Sequence, residues 1–232
     1  MKISRSKKIS GLLCLLAAVT VQYAHADSPE SWNGCYAGVN AGYGWASISG
    51  IDSDIGAAIG SATAKGGAFG GQLGCDHQTT NWVWGAQFSL DKSHLTGSHQ
   101  YINGSGPSDR VTYDIKSLIS ITGRIGYVLQ SNTLAYLKAG GAWTRTNHDD
   151  SDPAPAPPGV PYTGNKEVTR NGWIAGVGLE HKIERNLSSY VEYNYMDFGK
   201  QTVTILYSDG FISNYSFEQN ISYLGFGVNY RF

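Results

Sequence analysis

The chain has 232 residues, 41% of them hydrophobic and only 15% charged, with 30 glycines and 15 tyrosines. Its 17 Lys and Arg nearly balance 18 Asp and Glu, so it lacks the basic surplus typical of nucleic-acid-binding proteins. No apolar run reaches the roughly 20 residues that a membrane-spanning helix needs, which excludes a helical membrane protein.

The first 26 residues predict a secretory signal peptide. A start with four Lys and Arg precedes an apolar run over residues 12–19 and the cleavage pattern Ala24-His25-Ala26. Removing this segment leaves a net charge of −5. In the mature chain we expect residues 27–33 to be a short periplasmic segment and residues 34–232 to be one domain.

The hydropathy of the mature chain alternates with a period of two in eight segments. Alternation of apolar with small or polar residues over about ten positions is typical of a transmembrane β-strand, whose side chains face lipid and lumen in turn. The segments lie at residues 36–45, 69–76, 82–91, 119–127, 136–144, 173–180, 190–195 and 223–232. They predict an all-β fold, an eight-stranded antiparallel up-and-down transmembrane β-barrel.

The apolar sets of these strands contain no charged residue, as a lipid-facing surface requires, since a Lys or Arg near the midplane costs about 2–4 kcal/mol. Tyrosine and tryptophan lie near the strand ends, where aromatic girdles meet the membrane interfaces. Short connections at residues 79–81, 128–132 and 184–186 alternate with long ones at 47–66, 92–112, 147–166 and 199–218. We therefore expect short periplasmic turns and four long extracellular loops.

Five segments of the mature chain carry a family resemblance: residues 36–45 (YAGVNAGYGW), 122–127 (TGRIGY), 172–180 (GWIAGVGLE), 191–193 (VEY) and 227–232 (GVNYRF). In these segments the sequence resembles the small OmpA-like barrels of alphaproteobacteria, which are outer-membrane β-barrel or "porin family" proteins. The resemblance implies a location in the outer membrane of a Gram-negative bacterium, contact with its lipids, and insertion by periplasmic chaperones and the barrel-assembly machinery. The aromatic end, with Tyr230 and Phe232, is typical of the C-terminal insertion signal of such barrels.

We expect a structural and surface-interaction role for this barrel rather than catalysis. An enzyme acting on outer-leaflet lipid would need a His, Ser and acid set at that leaflet, whereas the outward His77 and His181 lie at the predicted periplasmic end. A secreted lipocalin-like barrel would need an apolar cavity, and the predicted inner face is rich in Gly and charge. Weak diffusion of small solutes stays open as an alternative function.

Five charged residues should point into the lumen, with Asp76 and Asp91 nearby. Because the interior of an eight-stranded barrel is just wide enough for side chains to fill, and because buried charges persist only when paired, we predict a salt-bridge cluster that plugs the lumen. An ion path or a proton relay is the less favoured alternative. The five residues are Arg124, Lys138, Glu180, Glu192 and Arg231.

Cys35 and Cys75 lie on neighbouring predicted strands, on the outward face and near the periplasmic end. The periplasm is oxidising, so a disulfide between them is one possibility. Two free thiols are the other, because a disulfide needs Cα atoms within about 7 Å of each other, and the sequence does not fix that distance.

Three histidines fall in predicted extracellular loops: His94 and His99 in the second and His148 in the third. Imidazole is a common ligand of haem iron and of metal ions, and some members of the resembled family bind haemin. The resemblance thus implies a haemin-binding surface receptor as an alternative function, against the interpretation that these are solvated surface histidines. No other cofactor is predicted.

Overall fold

The computed structural model describes residues 31–100, 110–130, 132–152, 162–208, 210 and 212–232. The predicted signal peptide lies outside the described residues. Within the described ranges no helix is long and apolar enough to cross a membrane. The chain forms eight β-strands: β1 Gly34–Asp52, β2 Ala58–Thr79, β3 Trp82–Gln100, β4 Arg110–Gln130, β5 Thr133–Asp152, β6 Tyr162–Lys182, β7 Leu187–Leu206 and β8 Ile212–Arg231.

The eight strands join in sequence order into one closed antiparallel barrel, which confirms the predicted fold class. The ring closes between β1 and β8, where the ladder runs from the pair of Tyr36 with Arg231 to the pair of Asp52 with Tyr215. Closure removes the free sheet edges, so the backbone polar groups can be paired inside the wall, as a bilayer interior requires.

The strands are about twice as long as the segments that the alternation predicted. Their lengths range from 19 residues in β1 and β3 to 22 residues in β2, whereas a tilted strand needs about 9–11 residues to cross a membrane. The prediction of four long loops was therefore wrong in extent. Strand pairing continues through most of each expected loop, as in the pair of Ser49 with Ser61.

The upper strand halves escaped prediction for a physical reason. Above the bilayer the outward side chains meet water and need not be apolar, so the period-two signal fades although the ladder continues. Four register shifts also interrupt the alternation, between Gly50 and Ile51, Lys92 and Leu95, Ile115 and Ser117, and Asp197 and Lys200. Such β-bulges add residues to one strand and locally disturb its alternation.

The outward face of the barrel divides into an apolar belt and a polar upper wall. The belt exposes large apolar side chains around the whole barrel, among them Val39, Phe69, Leu73, Phe88, Ile121, Leu137, Val177, Val191 and Phe226. From the level of the exposed rings of Trp45, Trp143 and Trp173 upward, most outward positions are polar, as at Lys65 and Lys92. A continuous apolar surface of this size is unfavourable in water, so the belt marks the part of the wall that faces lipid.

The interior of the barrel also differs between its lower and upper halves. Charged and amide side chains fill the lower half, where β1 begins and β8 ends, while a buried apolar cluster fills much of the upper half. The predicted inner face, rich in Gly and charge, therefore describes the lower half only. Members of the upper cluster include Ile48, Leu95, Ile115, Leu118, Ile174, Phe217 and Ile221.

Candidate functional site

The lower lumen contains a network of ion pairs centred on Arg124 of β4. Its guanidinium donates to the carboxylate of Asp76 on β2, from Nε to Oδ1 at 2.8 Å and from Nη2 to Oδ2. Its Nη1 donates to Glu180 Oε2 on β6 at 3.0 Å, and Arg231 Nη2 on β8 donates to Asp76 Oδ2 at 2.7 Å. Two cations and two carboxylates thus compensate one another in a site closed to water, as buried charges require.

A second buried pair lies beside this network. Lys138 Nζ on β5 donates to Glu192 Oε1 on β7 at 2.7 Å. The same carboxylate accepts hydrogen bonds from the Tyr136 hydroxyl at 3.0 Å and from Asn194 Nδ2 at 2.9 Å. All five predicted lumen charges therefore take part in ion pairs. Asp91, expected nearby, is buried but forms no ion pair with any residue that the structure describes.

A chain of uncharged polar groups crosses the lumen next to the ion pairs. The Tyr36 hydroxyl donates to Gln87 Oε1 at 3.1 Å, Gln87 Nε2 donates to Gln72 Oε1 at 2.8 Å, and Gln72 Nε2 donates to Asn229 Oδ1 at 2.7 Å. Asn229 Nδ2 in turn donates to Glu180 Oε1 at 3.0 Å. The amides thereby tie strands on opposite sides of the barrel to the charged network.

Trp32, just before β1, closes the lower mouth of the barrel. Its side chain is 0% exposed and packs against Val83 and Leu134. The Lys182 ammonium and the Arg231 guanidinium lie over its ring at 5.0 and 5.7 Å, within the range of cation–π attraction. Sequence reasoning missed this role because it treated the segment before β1 only as a periplasmic extension; a lone tryptophan among polar residues was the available signal.

The three predicted histidines lie on strands, not in loops, because the strands continue above the membrane: His94 and His99 are on β3 and His148 is on β5. His94 points outward, with Nδ1 at 3.4 Å from Asp114 Oδ1. His99 and His148 face inward and flank the ring of Tyr113, at centroid distances of 5.9 and 5.2 Å. The three rings therefore do not converge, and the described part of the chain contains no group of three metal-ligating side chains.

The upper lumen also contains Arg170 of β6, which sequence reasoning missed because it fell between the third expected loop and the sixth alternating segment. It is fully buried, and Nη1 donates to the carbonyl oxygen of Phe217 on β8 at 2.9 Å. The Arg170 side chain therefore links β6 to β8, past β7, on the inside of the barrel.

The two cysteines lie directly opposite each other in the β1–β2 ladder. Their Cα atoms are 3.9 Å apart and their sulfurs form a disulfide, so of the two possibilities the structure has the bonded one. The chain end lies beside it, since the Phe232 amide donates to the Cys35 carbonyl at 3.0 Å. Tyr230 and Phe232 are both exposed on the outer face of the barrel.

Sequence comparison relates the chain to outer-membrane proteins. A family profile, described as outer membrane protein beta-barrel domain, matches residues 11–232. The chain is 27% identical over 212 residues to a 31 kDa outer-membrane immunogenic protein of Brucella melitensis, covering 87% of this chain and 84% of that protein. It is 30% identical over 174 residues to a 25 kDa outer-membrane immunogenic protein of Brucella abortus, covering 74% and 68%.

Solved structures show the same architecture. The outer membrane protease OmpT of Escherichia coli superposes with a TM-score of 0.56 at 11% identity, over 88% of this chain and all of that one. The outer membrane protein OprG of Pseudomonas aeruginosa superposes with a TM-score of 0.52 at 10% identity, over 89% and 100%. At these identities the likeness concerns the barrel fold alone.

Proposed function

Because the chain belongs to the family of outer membrane protein beta-barrel domains, we propose that it acts at the surface of a Gram-negative cell as a closed, non-conducting barrel that presents its upper wall for recognition. The proposal rests mainly on the structure of the wall above the apolar belt. The ladder continues for several residues above the apolar belt, and most outward side chains in that part of the wall are polar.

Contacts between neighbouring strands support a firm, polar upper wall. Glu167 on β6 lies 3.5 Å from both Lys116 and Arg145, on the two preceding strands. The turn after β1 is held to β8, because Asp54 accepts hydrogen bonds from the Asn214 amide at 3.0 Å and from its Nδ2 at 3.1 Å. These hydrogen bonds lower the pKa of the Asp54 carboxyl. A wall of this kind suits binding to other molecules better than a mobile loop does, because less conformational entropy is lost.

The filled lower lumen supports the non-conducting part of the proposal. The ion pairs of Arg124 and Lys138 and the ring of Trp32 occupy the interior of a barrel that has little room beyond its side chains. The proposal assigns no reaction to these groups, since each carboxylate of the network is already held by a cation.

The relatives named outer-membrane immunogenic proteins support surface exposure for this chain. We also propose how the chain reaches the membrane. Periplasmic chaperones would transport it, and the barrel-assembly machinery would recognise the outward Tyr230 and Phe232 as the insertion signal. Haemin binding is not part of it, because no contact brings the predicted histidines together.

Lysine labelling on intact cells tests the proposed surface. A membrane-impermeant amine reagent should modify Lys65, Lys92 and Lys116, whose side chains lie outward on the upper wall. Lys182, at the periplasmic end, provides the internal control and should react only after the cells are broken and the protein is unfolded. Labelling of Lys182 on intact cells, with the upper lysines spared, would show the opposite orientation and overturn the proposal.

Planar-bilayer recordings test the closed lumen. The refolded barrel should give no steady open channel, and a double variant Arg124→Ala/Trp32→Ala should show increased leak if it folds. Steady conductance from the unaltered barrel would instead favour the diffusion of small solutes.

A further inference from the structure

Arg170 is a buried cation that forms no ion pair with a carboxylate among the described residues. Its side chain is 0% exposed, and Nε and Nη2 meet no acceptor among the described residues. No described Asp or Glu lies within ion-pair distance of it, whereas Arg124, Lys138 and Arg231 in the lower lumen each have such a partner. An unpaired charge removed from water is strongly unfavourable, so the guanidinium of Arg170 lacks a counter-ion among the described residues.

The free edge of Arg170 indicates which anion would fit. In Arg124 the Nε and Nη2 edge holds both oxygens of the Asp76 carboxylate. The same two donors of Arg170 are the unoccupied ones, while its Nη1 is bound to the backbone of Phe217. Two parallel N–H donors match the two oxygens of a carboxylate.

Two more buried donors lie near Arg170. Tyr113 and His148 are both fully buried, and neither the hydroxyl nor the ring nitrogens have a described hydrogen-bond partner. Arg170 interacts electrostatically with both. The carboxylate of Asp150, which also acts on Tyr113, accepts a hydrogen bond from the Tyr207 hydroxyl at 2.5 Å and does not pair with the guanidinium.

The surroundings of these donors are apolar. Tyr113 and Phe217 belong to the buried cluster of the upper lumen, and the His148 ring lies 4.7 Å from that of Phe217, centroid to centroid. A ligand with an apolar body would gain from contact with this lining, while a strongly hydrated inorganic ion would lose its water shell without replacement.

A seam in the barrel wall lies beside Arg170. The β6–β7 ladder ends at the pair of Trp173 with Asp197. Above that pair, within the described part of the two strands, the next bridge joins Gly164 to Tyr207. Arg170 lies on the stretch between, where no ladder pairs join the two strands, so a ligand would reach the lumen here.

We propose that the upper lumen binds a carboxylate carried on a small apolar body, such as an aromatic or short aliphatic acid, with its two oxygens on Nε and Nη2 of Arg170 and with Tyr113 and His148 as further donors. The closed lower lumen makes this a binding site and not a passage. The inference is independent of the recognition role proposed for the outer wall.

Benzoate is a suitable probe because it is soluble and carries both features. The barrel, refolded in an uncharged detergent at low salt, should bind benzoate saturably in a calorimetric or carboxyl-¹³C NMR titration. Arg170→Gln should weaken binding by at least about tenfold, and the matched control Arg145→Gln, whose side chain is 57% exposed on the outer wall, should leave it unchanged. Benzyl alcohol, which lacks the charge, should not compete, and acetate should compete only weakly.

Thermal unfolding gives a second readout that a purely structural arginine would not produce. Benzoate should raise the unfolding midpoint of the unaltered barrel and not that of Arg170→Met, since only the former gains a bound ligand. Should Arg170→Gln fail to fold, Arg170→Lys is the second variant. It keeps the charge but lacks the two parallel N–H donors of a guanidinium, so it should bind benzoate more weakly than the unaltered barrel. Absence of saturable binding by the folded, unaltered barrel, or equal binding by the Gln variant, overturns the proposal. Equal competition by acetate or chloride overturns the ligand class.

Discussion

Arg124 and Asp76 form a bidentate ion pair in the lower lumen, in which Nε and Nη2 of the guanidinium donate to the two carboxylate oxygens. Both side chains are almost completely excluded from water, at 1% and 0% exposure. Neither charge would be tolerated there alone. The stability of the lower lumen therefore depends on the two residues jointly, with Glu180 and Arg231 as further partners.

Removing the central cation should destabilise the barrel strongly. Arg124→Ala should lower the free energy of unfolding by about 3–5 kcal/mol, because Glu180 loses its described cation and Asp76 keeps only Arg231. Urea unfolding in detergent, followed by tryptophan fluorescence and by the heat-dependent gel shift, measures the change. Arg145→Ala is the control, since its exposed pair with Glu167 should contribute at most about 1 kcal/mol. Similar losses for the two variants would contradict the importance of the buried pair.

Gly178, which lies beside the ion pairs of the lower lumen, should not accommodate even a methyl group. A Cβ at Gly178 would lie 2.3 Å from Tyr136 Cζ, and the ring cannot retreat without breaking its hydrogen bond to Glu192. We expect Gly178→Ala to cost about 1–3 kcal/mol of unfolding free energy, the usual range for overpacking.

The matched control for Gly178 faces outward on β4. At Gly123 the nearest atom to an added methyl carbon would be the Gly85 carbonyl oxygen at 4.0 Å, so Gly123→Ala should leave the same urea midpoint almost unchanged. An equal effect of the two substitutions would mean that general backbone changes, and not the Tyr136 contact, decide the outcome.

The apolar outer belt and the charged lower lumen could be predicted from the sequence because one physical rule governs both. Inside the bilayer every outward side chain must be apolar, so the alternation of Phe69 with Gly70 or of Ile125 with Arg124 assigns each residue a face. Pairing of the inward charges then follows from the cost of burying them alone. Partners could not be assigned, since which charges meet depends on the stagger between strands.

The upper lumen could not be predicted in the same way. Once the outward side chains meet water, hydropathy stops distinguishing the faces, and His148 and Arg170 were left in or near expected loops. Counting by two from Lys138 on β5 and from Ile174 on β6 places both residues inward, as the structure does. Strand parity was therefore the usable signal, while the length of the strands was the missing fact.

The disulfide should contribute measurably to stability. The mature sequence has two cysteines, since the third of the chain, Cys14, lies in the predicted signal peptide. A bond between residues 40 positions apart should stabilise by about 4 kcal/mol according to the loop-entropy relation. Reductant should thus lower the urea midpoint of the unaltered barrel and have no effect on Cys35→Ser/Cys75→Ser. Thiol labelling should find no reactive group before reduction and two after it; reaction of both thiols in the untreated folded protein would contradict the bond.

The seam between β6 and β7 should be the most labile part of the upper wall. Between the pair of Trp173 with Asp197 and the bridge of Gly164 with Tyr207 the two strands share no ladder pairs, so amides that face the seam lack the protection that cross-strand bonds give. Hydrogen exchange followed by mass spectrometry should be at least about tenfold faster in peptides covering residues 165–172 and 198–206 than in residues 144–150 of β5. The β5 stretch is the proper reference because it lies at the same height and pairs with neighbours on both sides. Uniform protection at this height around the barrel would contradict the seam, and would also remove the route proposed for a ligand to Arg170.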